Sequence, residues 1–261
     1  MANNKTFVIL TASRNCARYL PDWASSIISQ TYRPISVTLV DDASTDGTSK
    51  LIKSIQKSFK ENNIDFEYIK SSKRIYCGSA YNLAAKKSRK KGAYFGILDS
   101  DDMLEPFACQ YVADLYQKYS NVIWIYTQHN KYNRKMDRII KKGFSGIPPK
   151  KKSLLSLGKR RGSLGFSHWR TFSNKVQHPE LLFKQKLKGC VDKYMGYRLE
   201  ETGIGLFTHK ICYKFRTRSR GERAISFNQP LRILLEEVMK EAVYRRKYLK
   251  PKHYQIMVYK D

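Results

Sequence analysis

Residues 35–48, with the sequence ISVTLVDDASTDGT, decide the fold of this chain. Residues 35–40 are apolar and largely β-branched, which predicts a buried strand. Two carboxylates follow, and Ser44 or Thr45 is then a suitable N-cap for a helix. Apolar residues recur over 51–59 at the spacing of one helical face. The stretch therefore predicts a strand, an acidic turn and a helix.

The same alternation of strand and helix patterns extends over the first 128 residues. It predicts an α/β fold with a mostly parallel sheet and helices on both faces. A second apolar run, 94–98, ends in the sequence DSDD at 99–102. Ligands bind at the carboxyl ends of the strands in such sheets, so both acidic clusters are expected at the ligand-binding edge. Taken alone, each cluster has a structural alternative to ligand binding, which is a helix cap or a solvated turn.

Composition limits the class of protein. The chain has 261 residues, of which 41% are hydrophobic, so it is globular rather than disordered or fibrous. Lys and Arg number 50 against 22 Asp and Glu, a net charge of +28 that favours anionic partners. No apolar run is long enough to predict a transmembrane helix, and the polar N-terminus predicts no secretory signal. Five cysteines without a CxxC pair predict reduced thiols and a cytoplasmic location.

Taken together, the two clusters and their surroundings resemble the nucleotide-sugar-binding half of a family 2 glycosyltransferase with the GT-A fold. The resemblance covers residues 6–128 and continues more weakly toward residue 218. The matching pieces are 7–15 (FVILTASRN), 29–32 (SQTY), 40–48, Gly78 with Asn82, and 98–104 (LDSDDML).

The resemblance implies a Rossmann-like GT-A domain with a basic acceptor-side region and a C-terminal helix. Residues 1–128 would be the nucleotide-sugar-binding half, 129–229 the acceptor-side half of the same domain, and 230–261 a C-terminal helical extension. The implied activity is transfer of a sugar from a nucleoside-diphosphate donor, with UDP-sugars favoured, to an acceptor hydroxyl.

A donor site follows from the matched positions. The implied nucleotide-binding residues are Thr11, Ala12, Ser13, Asp41, Asp42, Asn82 and Asp99. Asp101, with Asp99, would hold Mn²⁺ or Mg²⁺ against the donor phosphates, where the ion neutralises the departing diphosphate. Many relatives have Arg where this chain has Tyr81, which puts one phosphate contact in doubt.

A catalytic base is implied at Asp192. Inverting members of the family commonly place a Glu-Asp pair at the start of a helix, and here the Glu is replaced by Val191. A carboxylate at that point takes the proton of the attacking hydroxyl. The alternative is that Asp192 is a structural first-turn Asp, which the helix dipole favours.

Four further residues match positions near the diphosphate or the acceptor. Arg216 and Arg218 lie in a basic strand, and Arg is suited to bidentate phosphate contacts. His168 and Trp169 resemble residues that face the sugars. A solvated basic edge strand, a packed Trp and a surface His are the alternatives.

The positive charge is concentrated in residues 129–175, which hold 14 Lys and Arg and one acidic residue. This segment is expected to be a long loop region that receives an anionic glycan or a lipid-linked acceptor, with peripheral contact at the inner membrane face, or to be merely solvated. Nucleic acid is disfavoured because no recognisable binding motif is present. A second hypothesis is a catalytically inactive GT-A-like protein that binds anionic lipid, glycan or nucleic acid.

Overall fold

One mixed sheet runs through the part of the chain described by the computed structural model, which is residues 5–143, 145–147, 153–157, 165–187, 189–218, 231–249 and 256–259. Its strands are β1 (Phe7–Ser13), β2 (Ile35–Asp41), β3 (Ile64–Lys70), β4 (Tyr94–Ile97), β5 (Met103–Leu104), β6 (Trp124–Tyr132), β7 (Ile139–Lys142), β8 (Arg170–Ser173), β9 (Gly205–Arg216) and β10 (Ile256–Tyr259). The helices are α1 (Leu20–Ile28), α2 (Thr48–Glu61), α3 (Tyr76–Ser88), α4 (Ala108–Lys118), α5 (Leu154–Leu157), α6 (Val191–Glu200) and α7 (Leu231–Leu249).

The strand order is β10-β9-β6-β8-β4-β1-β2-β3, with β5 paired to β9 and β7 paired to β6. The four neighbouring strands β4, β1, β2 and β3 run parallel to one another. Strand β8 lies between β4 and β6 and runs antiparallel to both. Strands β1 and β2 are buried along nearly their whole length because helices cover both faces of the sheet. The α/β prediction is confirmed.

The acidic turn after β2 begins α2 in a different way from the prediction. The helix starts at Thr48, whose amide and hydroxyl donate to one carboxylate oxygen of Asp46 at 3.1 and 2.6 Å. The N-cap residue is Gly47, and it is the Asp46 side chain, rather than that of Ser44 or Thr45, that pairs with the first residue of the helix. The second oxygen of Asp46 accepts the Ala17 amide at 2.9 Å, which ties the turn to the loop after β1.

The basic segment contains more regular structure than its composition indicates. Strand β6 extends to Tyr132, and β7 returns along it as an antiparallel hairpin. The Lys clusters at 150–152 and 159–161 lie outside the described residues. Near the C-terminus, α7 is followed by β10, which joins the sheet parallel to β9, so 230–261 is not purely helical. Among the described residues, no helix is long and apolar enough to cross a membrane.

Candidate active site

The ends of β1 and β2 form one wall of the site, and its two acidic side chains hold loops in place. The Asp41 carboxylate accepts the Ser44 amide at 2.9 Å and the Tyr68 hydroxyl at 2.7 Å. Asp42 accepts the amides of Ile75 and Tyr76, at the start of α3, at 2.5 and 3.1 Å. A carboxylate offers about four acceptor positions, so these bonds leave room for a nucleotide base.

The end of β1 combines a fixed side chain with an unpaired one. The Thr11 hydroxyl donates to the Leu98 carbonyl at 2.8 Å and accepts the Trp23 indole N–H at 3.2 Å, so it joins β1 to β4 and α1. Ala12 is half-buried. The Ser13 hydroxyl is buried and has no hydrogen-bond partner among the described residues. A buried polar group of this kind is stabilised by a ligand that pairs with it.

Asn82 supports the fold from α3. Its amide group donates to the Phe183 carbonyl at 2.6 Å and its oxygen accepts the Phe183 amide at 3.2 Å. Gly78 lies against the same segment, since a Cβ there would stand 2.2 Å from the Lys184 carbonyl oxygen. These contacts position the segment before α6, and they are not contacts to a nucleotide.

The three carboxylates of the DSDD loop occupy different environments. Asp102 is buried, and it accepts the Tyr213 hydroxyl at 2.8 Å and the Arg216 amide at 2.6 Å. Burial, with Asp101 and Asp99 nearby, raises the pKa of Asp102 well above its ordinary value. Asp102 therefore fixes the loop to β9, and Asp99 and Asp101 are the more accessible pair.

Asp101 is poised for a cation. Burial raises its pKa to about 6, an effect that the Arg218 guanidinium opposes and the Asp99 charge increases. Arg218 Nε lies 2.6 Å from Asp101 Oδ2. Because two carboxylates repel each other across this loop, a positive charge between them is stabilising.

Arg170, at the start of β8, connects the DSDD loop to the base predicted on α6. Its Nη2 lies 3.3 Å from Asp99 Oδ2 and 3.1 Å from His168 Nδ1, and its Nε is buried without a partner among the described residues. Burial lowers the pKa of Arg170, but Asp99 and then Asp192 raise it, and the net shift is upward. The guanidinium therefore stays charged between two carboxylates.

Tyr81 completes this cluster. Its hydroxyl donates to Asp99 Oδ1 at 2.5 Å, and its ring stacks on Phe183 with centroids 5.0 Å apart. Burial raises the pKa of Tyr81 well above its ordinary value, so the hydroxyl keeps its proton. Tyr81 thus holds Asp99 from the position where many relatives have Arg.

Asp192 lies in the first turn of α6, as the sequence predicts. It is half-buried, and no hydrogen bond to its side chain is present within the described residues. It interacts electrostatically with Arg170, which also pairs with Asp99. Asp192 and Asp99 therefore share one cationic partner.

His168 lies in the site, whereas the adjacent Trp169 lies in the core. Trp169 is fully buried and stacks on Phe7 with centroids 5.4 Å apart, so it is the packed Trp of the two alternatives and does not contact a sugar. His168 stacks on Tyr213 at 4.5 Å, and burial lowers its pKa well below the ordinary value. A neutral His168 beside Arg170 lines the site instead of lying on the surface.

Arg216 is a structural residue. Its Nε donates to the Asp101 carbonyl at 2.6 Å, its Nη2 pairs with Asp22 at 2.7 Å, and its Nη1 donates to the Arg134 carbonyl. All three nitrogens are engaged and the side chain is buried, so the predicted phosphate contact falls to Arg218 alone. Arg216 connects the DSDD loop to the β6–β7 hairpin.

Sequence reasoning did not assign Arg170 to the site, although it lies next to His168 and Trp169 in a predicted strand. It noted Tyr81 only as a departure from a phosphate-contacting Arg, and Tyr213 only as part of the basic strand with Arg216 and Arg218. The contacts of both hydroxyls with the DSDD carboxylates could not be predicted, because buried Tyr is common in cores of this kind.

Comparison with known proteins identifies the family. Residues 8–176 match the family model described as glycosyl transferase family 2. The chain belongs to this family. Among curated members it is 30% identical over 202 residues to a chondroitin synthase of Escherichia coli, which is 76% of this chain and 27% of that protein. It is 29% identical over 199 residues to a hyaluronan synthase of Pasteurella multocida, 76% of this chain and 19% of that protein. The chain thus spans about a quarter or less of the length of these relatives.

Solved glycosyltransferase structures share the fold. The first 349 residues of S. aureus TarS, in complex with UDP-GlcNAc, superpose with a TM-score of 0.64 at 15% identity, covering 92% of this chain and 72% of that one. The mannosyltransferase PcManGT from Pyrobaculum calidifontis, in complex with GDP-Man and Mn²⁺, gives 0.58 at 14% identity, covering 94% and 76%. The GT-A prediction for this family 2 glycosyltransferase is confirmed.

The residues of this chain fit a divalent cation. The described residues contain no group of three or more His, Cys, Asp or Glu side chains that could enclose a metal. Mg²⁺ needs fewer, because it uses one or two carboxylates and completes its shell with substrate phosphates and water. Asp99 and Asp101 supply such oxygens. Burial, and to a lesser degree the Asp99 charge, raise the pKa of Asp101, and a nearby cation would offset both effects.

Proposed function

We propose that this glycosyltransferase transfers a sugar from a nucleoside-diphosphate donor to an acceptor hydroxyl with inversion, and that Asp192 is the base. The observation that supports the proposal is that the buried Arg170 pairs with Asp99 and interacts electrostatically with Asp192, while Asp101 lies beside Asp99 in the same loop. The groups proposed to stabilise the leaving diphosphate and to deprotonate the attacking hydroxyl would thereby lie on one side of the sheet.

The donor would bind against the ends of β1 and β2. Ser13, Asp41 and Asp42 surround the position proposed for the base, and the unpaired Ser13 hydroxyl offers it a hydrogen bond. UDP-sugars are favoured, and the structures of S. aureus TarS with UDP-GlcNAc and of GalNAc-T7 with UDP, GalNAc and Mn²⁺ share the fold. Arg218, beside Asp101, is placed to contact the diphosphate.

Asp101, with Asp99, would hold Mn²⁺ or Mg²⁺. When bound, the ion supplies Lewis-acid neutralisation of the nucleoside-diphosphate leaving group. Hydrogen bonds from Arg170 and Tyr81 orient the Asp99 carboxylate for this role.

Asp192 would take the proton of the acceptor hydroxyl as the oxygen attacks the anomeric carbon. Asp192 lies in the first turn of α6, at the positive end of the helix dipole, and it interacts electrostatically with Arg170. Val191 stands where a second carboxylate is common, so a single base serves the reaction. One displacement without a covalent intermediate inverts the anomeric centre.

The acceptor is proposed to be a glycan or a lipid-linked glycan met in the cytoplasm, at or near a membrane. One relative, 36% identical over 97 residues, is an E. coli glucosyltransferase whose name gives a GlcNAc-diphosphoundecaprenol acceptor. Cations on the acceptor side suit such an anionic group.

Thermal unfolding with UDP, GDP, dTDP and CDP, each with and without Mn²⁺, tests the donor site. A ligand at one hundred times its dissociation constant adds about 2.7 kcal/mol, a rise in Tm on the order of 5–10 °C. We expect a Mn²⁺-dependent rise with UDP that Asp101→Asn abolishes and the exposed control Asp114→Asn leaves intact. No rise with any nucleotide would instead favour the catalytically inactive binding protein.

A further inference from the structure

The β6–β7 hairpin, residues 131–142 and called here the basic hairpin, has a surface that the transferase chemistry does not use. Five of its cations are exposed: Arg134, Lys135, Arg138, Lys141 and Lys142. Between them lie two exposed aliphatic side chains, Ile139 at 49% and Ile140 at 47% exposure. Single exposed apolar residues are ordinary, but two adjacent isoleucines within a set of cations form a patch of defined chemistry.

The pairing of the hairpin explains why both isoleucines are exposed. Lys131 lies opposite Lys141 and Tyr132 lies opposite Ile139, so Ile140 is an extra residue in β7. Such a bulge bends a strand and interrupts its ladder. Strand β7 pairs with β6 and with no other described strand, so it stands at an edge of the sheet.

Four exposed cations of the hairpin have no acidic partner within the described part of the protein. No ion pair joins Lys135, Arg138, Lys141 or Lys142 to an acidic side chain of a described residue. The one acidic residue of the hairpin, Asp137, accepts the Asn133 side-chain amide at 2.7 Å. The patch therefore presents net positive charge to a partner.

Arg216 places this patch next to the proposed site. It donates to the Arg134 carbonyl of the hairpin and to the carbonyl of Asp101, so one buried side chain holds both elements. A surface bound by the hairpin would thus lie close to the DSDD loop of the proposed site.

We propose that the basic hairpin docks on a membrane surface of anionic phospholipid. The cations match lipid phosphates, and the two isoleucines can enter the boundary between headgroups and acyl chains. Single-stranded nucleic acid is bound by exposed aromatic rings, whereas the exposed apolar residues here are aliphatic, and the Tyr132 ring has Lys214 Nζ 5.9 Å from its centroid. The inference rests on the proposed function only in its purpose, which is to bring the site to a lipid-linked acceptor.

Sedimentation of the full chain with vesicles tests the inference. Vesicles of phosphatidylglycerol and phosphatidylcholine should bind the protein, and pure phosphatidylcholine vesicles should not. Each cation near such a surface strengthens binding about fivefold, so Lys141→Gln with Lys142→Gln should weaken it about 25-fold at ~0.1 M salt. The matched control, Lys86→Gln with Lys87→Gln on α3, removes the same exposed charge elsewhere and should change binding less than about twofold.

Vesicle binding at different salt concentrations distinguishes insertion of the isoleucines from electrostatic attraction of the cations. Ile139→Ser with Ile140→Ser should weaken binding at low salt as well, because apolar insertion is not screened, and should lose the binding that the wild type retains at ~0.5 M salt, where surface charge is screened. Equal weakening by the hairpin and control lysine pairs, or no vesicle binding, would overturn the inference. So would a hairpin-dependent preference for single-stranded RNA over vesicles. The UDP- and Mn²⁺-dependent rise in Tm, measured on each variant, reports the donor site independently of membrane binding.

Discussion

Replacing Arg246 of α7 by methionine should destabilise the protein by about 3 kcal/mol, because it removes the ion partner of a buried glutamate. Arg246 Nη2 lies 2.7 Å from Glu200 Oε2, and its Nε lies 3.4 Å from Glu201 Oε1. The Glu200 side chain is 1% exposed, and its other oxygen accepts the Leu154 amide at 2.7 Å. Methionine keeps much of the apolar stem that Arg246 packs in this contact.

The size of the stability loss follows from the hydrogen bond that Glu200 retains in the variant. Breaking a buried ion pair costs about 3–5 kcal/mol, and the retained bond from Leu154 puts this case at the low end. For a domain of this size the fall in Tm is about 6–12 °C. Burial already raises the pKa of Glu200, and loss of Arg246 raises it further. The folded protein then favours the protonated form, so the loss of stability is full at high pH and shrinks as pH falls.

Urea unfolding at pH 8 and pH 5 measures both parts of this prediction. Arg246→Met should lose more stability at pH 8 than at pH 5, and Glu200→Gln combined with Arg246→Met should recover most of the loss. Lys240→Met, an exposed change on the same helix, should stay within about 0.5 kcal/mol of the wild type. A loss in Arg246→Met that is independent of pH, or that the added Glu200→Gln change leaves in place, would refute the reasoning.

Three further changes give expected outcomes. Burial lowers the pKa of His129 to about 4. As pH falls, the unfolded chain therefore binds the proton before the folded protein does, and the folded protein loses stability below pH ~6.5. His129→Gln should reduce this loss of stability between pH 7 and 4.5 by about 2.5 kcal/mol, as measured by urea unfolding. Gly96→Ala puts a Cβ 2.4 Å from Trp169 Cζ2, and should cost about 1–3 kcal/mol by the same measurement. Arg170→Lys removes the planar group that orients Asp99, and should lower donor turnover about 100-fold with the nucleotide-induced rise in Tm retained; unchanged turnover would contradict the role given to Arg170.

The first half of the fold could be predicted from sequence because its determinants are local. Strands β1, β2 and β4 are short apolar or β-branched runs that end at or just before Ser or Asp, and α2 and α4 have apolar faces of their own. Thus 35–41 and 94–97 are strands in the structure, and the acidic clusters follow them as predicted. The start of α6 at Val191, with Asp192 in its first turn, was predictable for the same reason.

The site side chains around β8 and β9 could not be assigned in this way. Adjacent residues of a strand face opposite sides, so a shift of one residue in the pairing exchanges core and site. In the structure Ile97 pairs with Arg170, which directs Trp169 into the core and leaves Arg170 among the carboxylates. The engagement of Arg216 with Asp22 joins residues 194 positions apart, and nothing local in the sequence indicates it.

Turnover of UDP-sugars by Asp192→Asn, compared with the wild type in the presence of Mn²⁺, tests the central claim most directly. Release of UDP from a panel of UDP-sugars reports transfer or donor hydrolysis, and the rise in Tm with UDP and Mn²⁺ reports donor binding. General base catalysis contributes about 100- to 10,000-fold, so we predict a loss of turnover in that range with donor binding intact. Equal turnover by Asp192→Asn and the wild type would contradict the account and remove Asp192 from the mechanism.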